Sequence, residues 1–140
     1  MSFFDSLHAS ASGLTAQRLR MDVISNNIAN ANSTRGKDGK AYRRQLVALE
    51  SREVQQRDIE GQTKGTPLGV RVTKIFEDES PLRMVYDPQH PDANPDGYVA
   101  FPNVNVVQEM TDMISATRSY EANVTVINAV KGMAAKALEI

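Results

Sequence analysis

Apolar side chains recur through the first thirty residues at Phe3, Leu7, Leu14, Met21, Ile24 and Ile28. Leu7, Leu14, Met21 and Ile28 are spaced by seven, and this heptad interval predicts an amphipathic helix from the start of the chain to about residue 30. No proline falls within residues 1–66, and Gly13 is the weak point of this helix. Ser6, Ser10, Ser12 and Thr15 dilute the stripe and Arg18 flanks it, so the helix alone is marginal and depends on tertiary packing.

The last 35 or so residues carry a longer stripe. Val106, Met110, Met113, Thr117, Tyr120, Val124, Ile127, Ala134 and Leu138 recur in steps of three and four, with one step of seven over Lys131. Val107, Ile114 and Val130 widen it. The period is that of a packed helix, with Asn105 as the expected N-cap and Gln108 three residues on, as in a capping box. At about 1.5 Å per residue the two helices would reach roughly 40 and 50 Å.

Between them the pattern changes. Residues 30–39 are turn-rich and should end the first helix. Tyr42 to Glu50 reads as a strand, and Gly69 to Glu77 as a second, with Val70, Val72 and Phe76 at period two. Residues 51–66 are polar and hold two glycines, which predicts a loop or mobile excursion. Leu82–Tyr86 and Gly97–Phe101 are two further short strands around a segment with three prolines. The expected class is α+β. Residues 1–34 and 103–140 form an inner domain of two long helices packed as a coiled-coil-like pair, and 35–102 form a β-rich outer domain. The helices are too long for the middle to cover, so their stripes must pack on each other, on other chains, or on both.

Composition narrows the function. With 16 Lys and Arg against 17 Asp and Glu, the net charge of -1 offers nothing to nucleic acid or an acidic membrane. There is no cysteine, which removes disulfides, thiolate metal sites and thiol nucleophiles. Met-Ser-Phe-Phe-Asp-Ser-Leu-His lacks a basic segment followed by an apolar one, so no cleavable signal peptide is expected, and no apolar run approaches the ~18 residues of a membrane span.

Two groups could carry metal chemistry. Asp92-Ala-Asn94-Pro-Asp96-Gly97 fits the opening of an EF-hand loop, but Asn103 stands where a bidentate Glu should close the cage, and Pro95 and Pro102 interrupt the loop. An Asx-turn loop is the expectation. Asp87, His90, Asp92 and Asp96 form a His and carboxylate cluster, yet the chain has only two histidines, and His90, before a proline in an extended segment, is expected at the surface. The nucleophile and phosphate-loop motifs are absent, and Tyr42-Arg43-Arg44 reads as the solvated face of a strand. No catalytic residue and no cofactor is expected.

The run Ser25-Asn26-Asn27-Ile28-Ala29-Asn30-Ala31-Asn32-Ser33-Thr34 holds four asparagines in seven residues at a helix end. Asn tolerates the left-handed conformation and caps turns, so this can be a simple helix terminus. Equally, Asn27 and Asn30 share a face beside Ile28, and their amides, each donor and acceptor, can lock the chain to a neighbour.

Ser25 to Asn30 with Thr34 resembles the N-terminal signature of flagellar rod, hook and hook-associated proteins. Asp87-Pro-x-His-Pro-Asp-Ala-Asn, Gly97-Tyr-Val, Pro102-Asn-Val-Asn, Glu109-Met, Asp112-Met, Arg118-x-Tyr-Glu-Ala-Asn123 and Lys131 resemble the flagellar basal-body rod family, the proximal-rod members in particular. The resemblance covers both ends and the segment before the C-terminal helix, and little of residues 50–80. It implies a subunit exported unfolded, without a cleaved signal, by the flagellar type III export apparatus. In the periplasm it would join copies of itself and other rod proteins in a tubular drive shaft, with terminal helices inside and the β-rich domain outside. The expected assembly residues are Leu7, Leu14, Met21, Asn27, Ile28, Asn30, Met110, Met113, Tyr120, Val124 and Ile127. A calcium- or metal-binding module on the Asp92 loop and a free helical adaptor dimerising through its C-terminal heptads are the alternatives.

Overall fold

In a computed structural model the chain is described over residues 3–36, 38–57 and 63–139. Helix α1 spans Phe3–Ala29, strands β1 to β4 span Gln45–Arg57, Thr63–Glu77, Arg83–Tyr86 and Tyr98–Phe101, and helix α2 spans Val106–Leu138. The α+β class, with terminal helices around a strand-rich middle, is the one expected. Asn105 caps α2: its side chain accepts from the N–H groups of Val107 and Gln108, two of the donors that a helix start leaves without partners.

The helices run antiparallel along each other. Gly13 meets Asn123 and Met21 meets Thr117 (3.5 Å), while Asn27 reaches Glu109. The buried side chains of the pair among the described residues mix small and polar groups with a few branched apolar ones: Ser10, Ala16, Val23, Ile24 and Asn27 on α1, and Glu109, Ala116 and Val130 on α2. Gly13 explains itself in this packing. A Cβ there would stand 3.0–3.2 Å from the Asn123 side chain, so the glycine lets α2 approach.

β1 and β2 form an antiparallel hairpin, and β3 pairs with β4 in a second two-stranded sheet. The first hairpin is longer than the apolar pattern implied. The stretch expected to be a loop from 51 to 66 is strand up to Arg57 and again from Thr63, with Val54 opposite Thr66 and Arg57 opposite Thr63. Backbone ladder bonds do not require an apolar face, so period-two hydrophobicity marks only the inner half of the ribbon. Residues 58–62, within the expected excursion, lie outside the described residues. The inner half docks on α1 at Gly69, where φ is +89° and a Cβ would fall 2.3 Å from Ser12 Oγ. Ser12 Oγ donates to Ala9 O (2.7 Å) and accepts from Val70 N (3.0 Å), fastening the bulged strand to the helix.

Candidate assembly interface and its polar joint

Near the end of α1 the two helices and β1 meet on polar groups. Asn27, 1% exposed, lies in the centre. Its Nδ2 donates to Gln45 O (2.9 Å) and to Glu109 Oε2 (2.9 Å), and its Oδ1 accepts from Tyr42 Oη (2.8 Å) and Gln45 N (2.9 Å). The two bonds to Gln45 imitate a strand partner, so the asparagine closes the edge of β1. Glu109, also 1% exposed, accepts from Arg44 Nε at 2.6 Å. Arg44 also faces Asp112 (3.4 Å) and Asp78 (3.9 Å), and Arg20 reaches Asp112 from α1 (3.7 Å). Asn103 completes the joint: Oδ1 accepts from Arg44 N (2.8 Å), and Nδ2 donates to Asp78 O (3.0 Å) and Ser80 O (3.2 Å).

A carboxylate this deeply buried is tolerated because both oxygens are bonded and a guanidinium lies against it. Its field is felt nearby. Burial first, then the charges of Glu109 and Glu77, raise the Tyr42 hydroxyl above its ordinary value of 10.0, so it stays a donor to Asn27. Asp78 is held below the usual carboxylate range, chiefly by hydrogen bonds from the Ser80 hydroxyl and N–H, with Arg44 and Arg43 adding to them.

The eleven expected assembly residues divide. Asn27 is buried and fully bonded within the chain. Leu7, Leu14, Met21, Ile28, Met113, Tyr120, Val124 and Ile127 are half-buried along the helix pair. Asn30 is half-buried too and donates to Asn26 O (2.9 Å). Met110 is 56% exposed. Tyr42 and Arg44, read from sequence as a solvated strand face, precede β1 and belong to the joint, as does Glu109. Arg44 and Glu109 are 65 positions apart, a separation for which no local spacing rule exists. An ionisable residue at a seam position of α2, where an apolar one is usual, was the available signal.

The Asp92 loop is internally bonded. Asp92 Oδ2 accepts from Thr34 Oγ1 (2.9 Å) and Oδ1 faces Arg35 Nε (3.5 Å), while Asn94 Oδ1 accepts from the N–H groups of Asp96 (3.1 Å) and Tyr98 (2.8 Å), an Asx turn. His90 is half-buried rather than at the open surface, its ring 6.4 Å from that of Phe101. Among the described residues no three His, Asp or Glu side chains are grouped to hold a metal, and no helix is long and apolar enough to cross a membrane.

Residues 7–36 match the family model described as flagella basal body rod protein, and residues 96–140 match that of the flagellar basal body rod FlgEFG protein C-terminal region. The chain is 52% identical to the flagellar basal-body rod protein FlgC of Bacillus subtilis strain 168, aligned over all of this chain and 99% of the relative. It is 50% identical to FlgC of Borreliella burgdorferi and 40% identical to FlgC of Salmonella typhimurium, each over all of this chain and 98% of the relative.

Proposed function

The chain belongs to the FlgC family of flagellar basal-body rod proteins and is a structural subunit of that rod; we propose that it polymerises with copies of itself and other rod proteins into the proximal part of a tubular drive shaft. In this reading α1 and α2, residues 1–34 and 103–140, form the inner wall of the tube and residues 35–102 the outer layer. Leu7, Leu14, Met21, Ile28, Met113, Tyr120, Val124 and Ile127 line the helix-pair core of that wall, Asn30 stands at its end, and Met110 faces a neighbour. Asn27 serves assembly through shape, by fixing where β1 leaves the helices. The rod carries torque through packed side chains, without catalysis or a cofactor, and its bore passes exported subunits. The chain reaches the periplasm through the flagellar type III export apparatus as an unfolded polypeptide, and a cysteine-free sequence suits that route.

The observation that carries this reading is full-length identity of 52% to a rod protein, joined to a helix pair that leaves apolar side chains uncovered on α2. The test is deletion of the gene in a flagellated host and complementation with an epitope-tagged chain. Restored swimming, with the tag in purified basal bodies, is expected. A non-motile deletion that the chain rescues while the tag stays in the cytoplasm would refute it.

A further inference from the structure

Each helix of the pair presents a second stripe on the side opposite its seam. On α1 this stripe is Ala11, Thr15, Arg18, Asp22, Ser25 and Ala29, all exposed and mostly small. On α2 it begins with Val107, Met110 and Ile114, which are 74%, 56% and 56% exposed, and continues through Arg118, Glu121 and Thr125. Both follow steps of three and four, so each keeps to one face of its helix. Among the described residues the side chains of Arg18, Asp22, Arg118 and Glu121 take part in no ion pair or hydrogen bond within the chain.

We propose that the outer stripe of α2 is covered by the outer stripe of α1 of a second copy, antiparallel, with Asp22 facing Arg118 and Arg18 facing Glu121. This deepens the rod reading and rests on it. The order of charges supplies the argument. Along α1 the cation precedes the anion by four residues, and along α2 the cation precedes the anion by three. Laid antiparallel, the two helices therefore bring opposite charges together at both places. The same setting puts Ser25 against Ile114 and Ala29 against Met110, so small side chains on one helix receive the large apolar ones on the other. It puts Thr15 against Thr125, and it lies within about one turn of the register already used inside the chain, where Gly13 meets Asn123 and Met21 meets Thr117.

The consequence is geometric. A helix that uses one side within its own chain and the opposite side for the next copy gives a heterologous contact, which propagates rather than closing on a dimer. Helices would alternate α1, α2, α1, α2 around the wall.

Because the chain lacks cysteine, disulfide trapping has no background from it. Thr15→Cys/Thr125→Cys is expressed in place of the native gene, basal bodies are purified and mildly oxidised, and products are run without reductant. Both positions are exposed on the stripes facing away from the seam, so within one chain the helix pair stands between them and a bridge joins two copies. Dimers and higher multimers are expected from the double variant and monomer from either single variant. Double-variant chain that sits in basal bodies as monomer overturns the proposal and leaves the rod reading standing, whereas absence of the wild-type chain from basal bodies defeats the rod reading itself. Dimers from Thr15→Cys alone would mean that like helices meet, which also overturns it. An independent arm uses charge: Asp22→Arg and Arg118→Asp should each shrink the swimming halo several-fold, and the two together should recover most of it. A double variant as defective as the worse single one rejects the pairing.

Discussion

Replacing Asn27 with alanine removes four hydrogen bonds at once. Four groups lose a partner: Gln45 N–H, Gln45 C=O, the Tyr42 hydroxyl and one oxygen of Glu109. An unsatisfied buried polar group costs about 1–3 kcal/mol, but Gln45 and Tyr42 are only part-buried, and the cavity left by the amide can admit water. Glu109, 1% exposed, keeps Arg44 and loses its second donor. The sum is about 3–5 kcal/mol, the range seen when one member of a buried charged network is removed. Domains have about 5–15 kcal/mol in total, and a chain with seven buried hydrophobic residues among those described belongs toward the lower end. Urea unfolding of the purified chain, followed by circular dichroism, should show the midpoint fall by at least about 1 M with an unchanged slope. Asn27→Asp should be no better than alanine: it matches the shape, but a carboxylate cannot donate to Gln45 O and sets a second negative charge beside Glu109. Asn30→Ala, whose amide binds only the neighbouring turn, should stay within about 0.5 kcal/mol of wild type. If Asn27→Ala also stays within that margin, the joint is not what holds β1 to the helices.

Gly69→Ala, at φ +89° with Ser12 Oγ in the way, should lower the melting temperature clearly more than Gly39→Ala, at φ +71° with nothing within 4 Å; equal effects would show that backbone strain alone matters at both positions. Tyr42 has a folded-state value raised above 10.0, so its contribution is complete below pH 10 and is lost as pH rises through the folded value; Tyr42→Phe should be less stable at neutral pH and should flatten the stability loss above pH 10, and an unaltered alkaline limb would exclude Tyr42 as its source. Gln17 Oε1 is buried with no hydrogen-bond partner, and Gln17→Met, similar in volume, should raise the unfolding free energy by about 1 kcal/mol; a loss of that size would mean the oxygen is satisfied.

Much of the architecture follows from short-range pattern. Both helices, the cap at Asn105 and the two short strands sit within a few residues of where periodicity and turn chemistry place them. Backbone pairing is less visible. The outer half of the first hairpin has polar residues such as Ser51, Arg52 and Glu53 on exposed strand, and nothing in their hydropathy separates them from a loop. The joint was legible only in pieces. The asparagine run announced a helix end with amides to place, but its partners come from Tyr42, Arg44, Gln45 and Glu109, which tertiary structure alone brings together.

The same joint explains where the helix pattern misleads. By hydropathy the stripe of α2 passes through Met110, Thr117 and Val124, together with Met113, Tyr120 and Ile127. Within the chain Met113, Tyr120 and Ile127 are half-buried, Thr117 reaches Met21, and the seam also takes in the positions one residue earlier, Glu109, Ala116 and Asn123. A rule that ranks positions by apolarity prefers Met110 to Glu109. The packing prefers the reverse, because Glu109 finds Arg44 and Asn27, Asn123 fits the notch at Gly13, and Ala116 lets the helices close. Each polar choice has a specific partner, and the helix is rotated to satisfy it. The rotation turns Met110 and Ile114 away from α1, where the described residues leave each of them 56% exposed. An unbroken apolar seam would have buried these side chains in the subunit, whereas the polar one leaves them exposed, on the face that the proposed contact with a second copy would use.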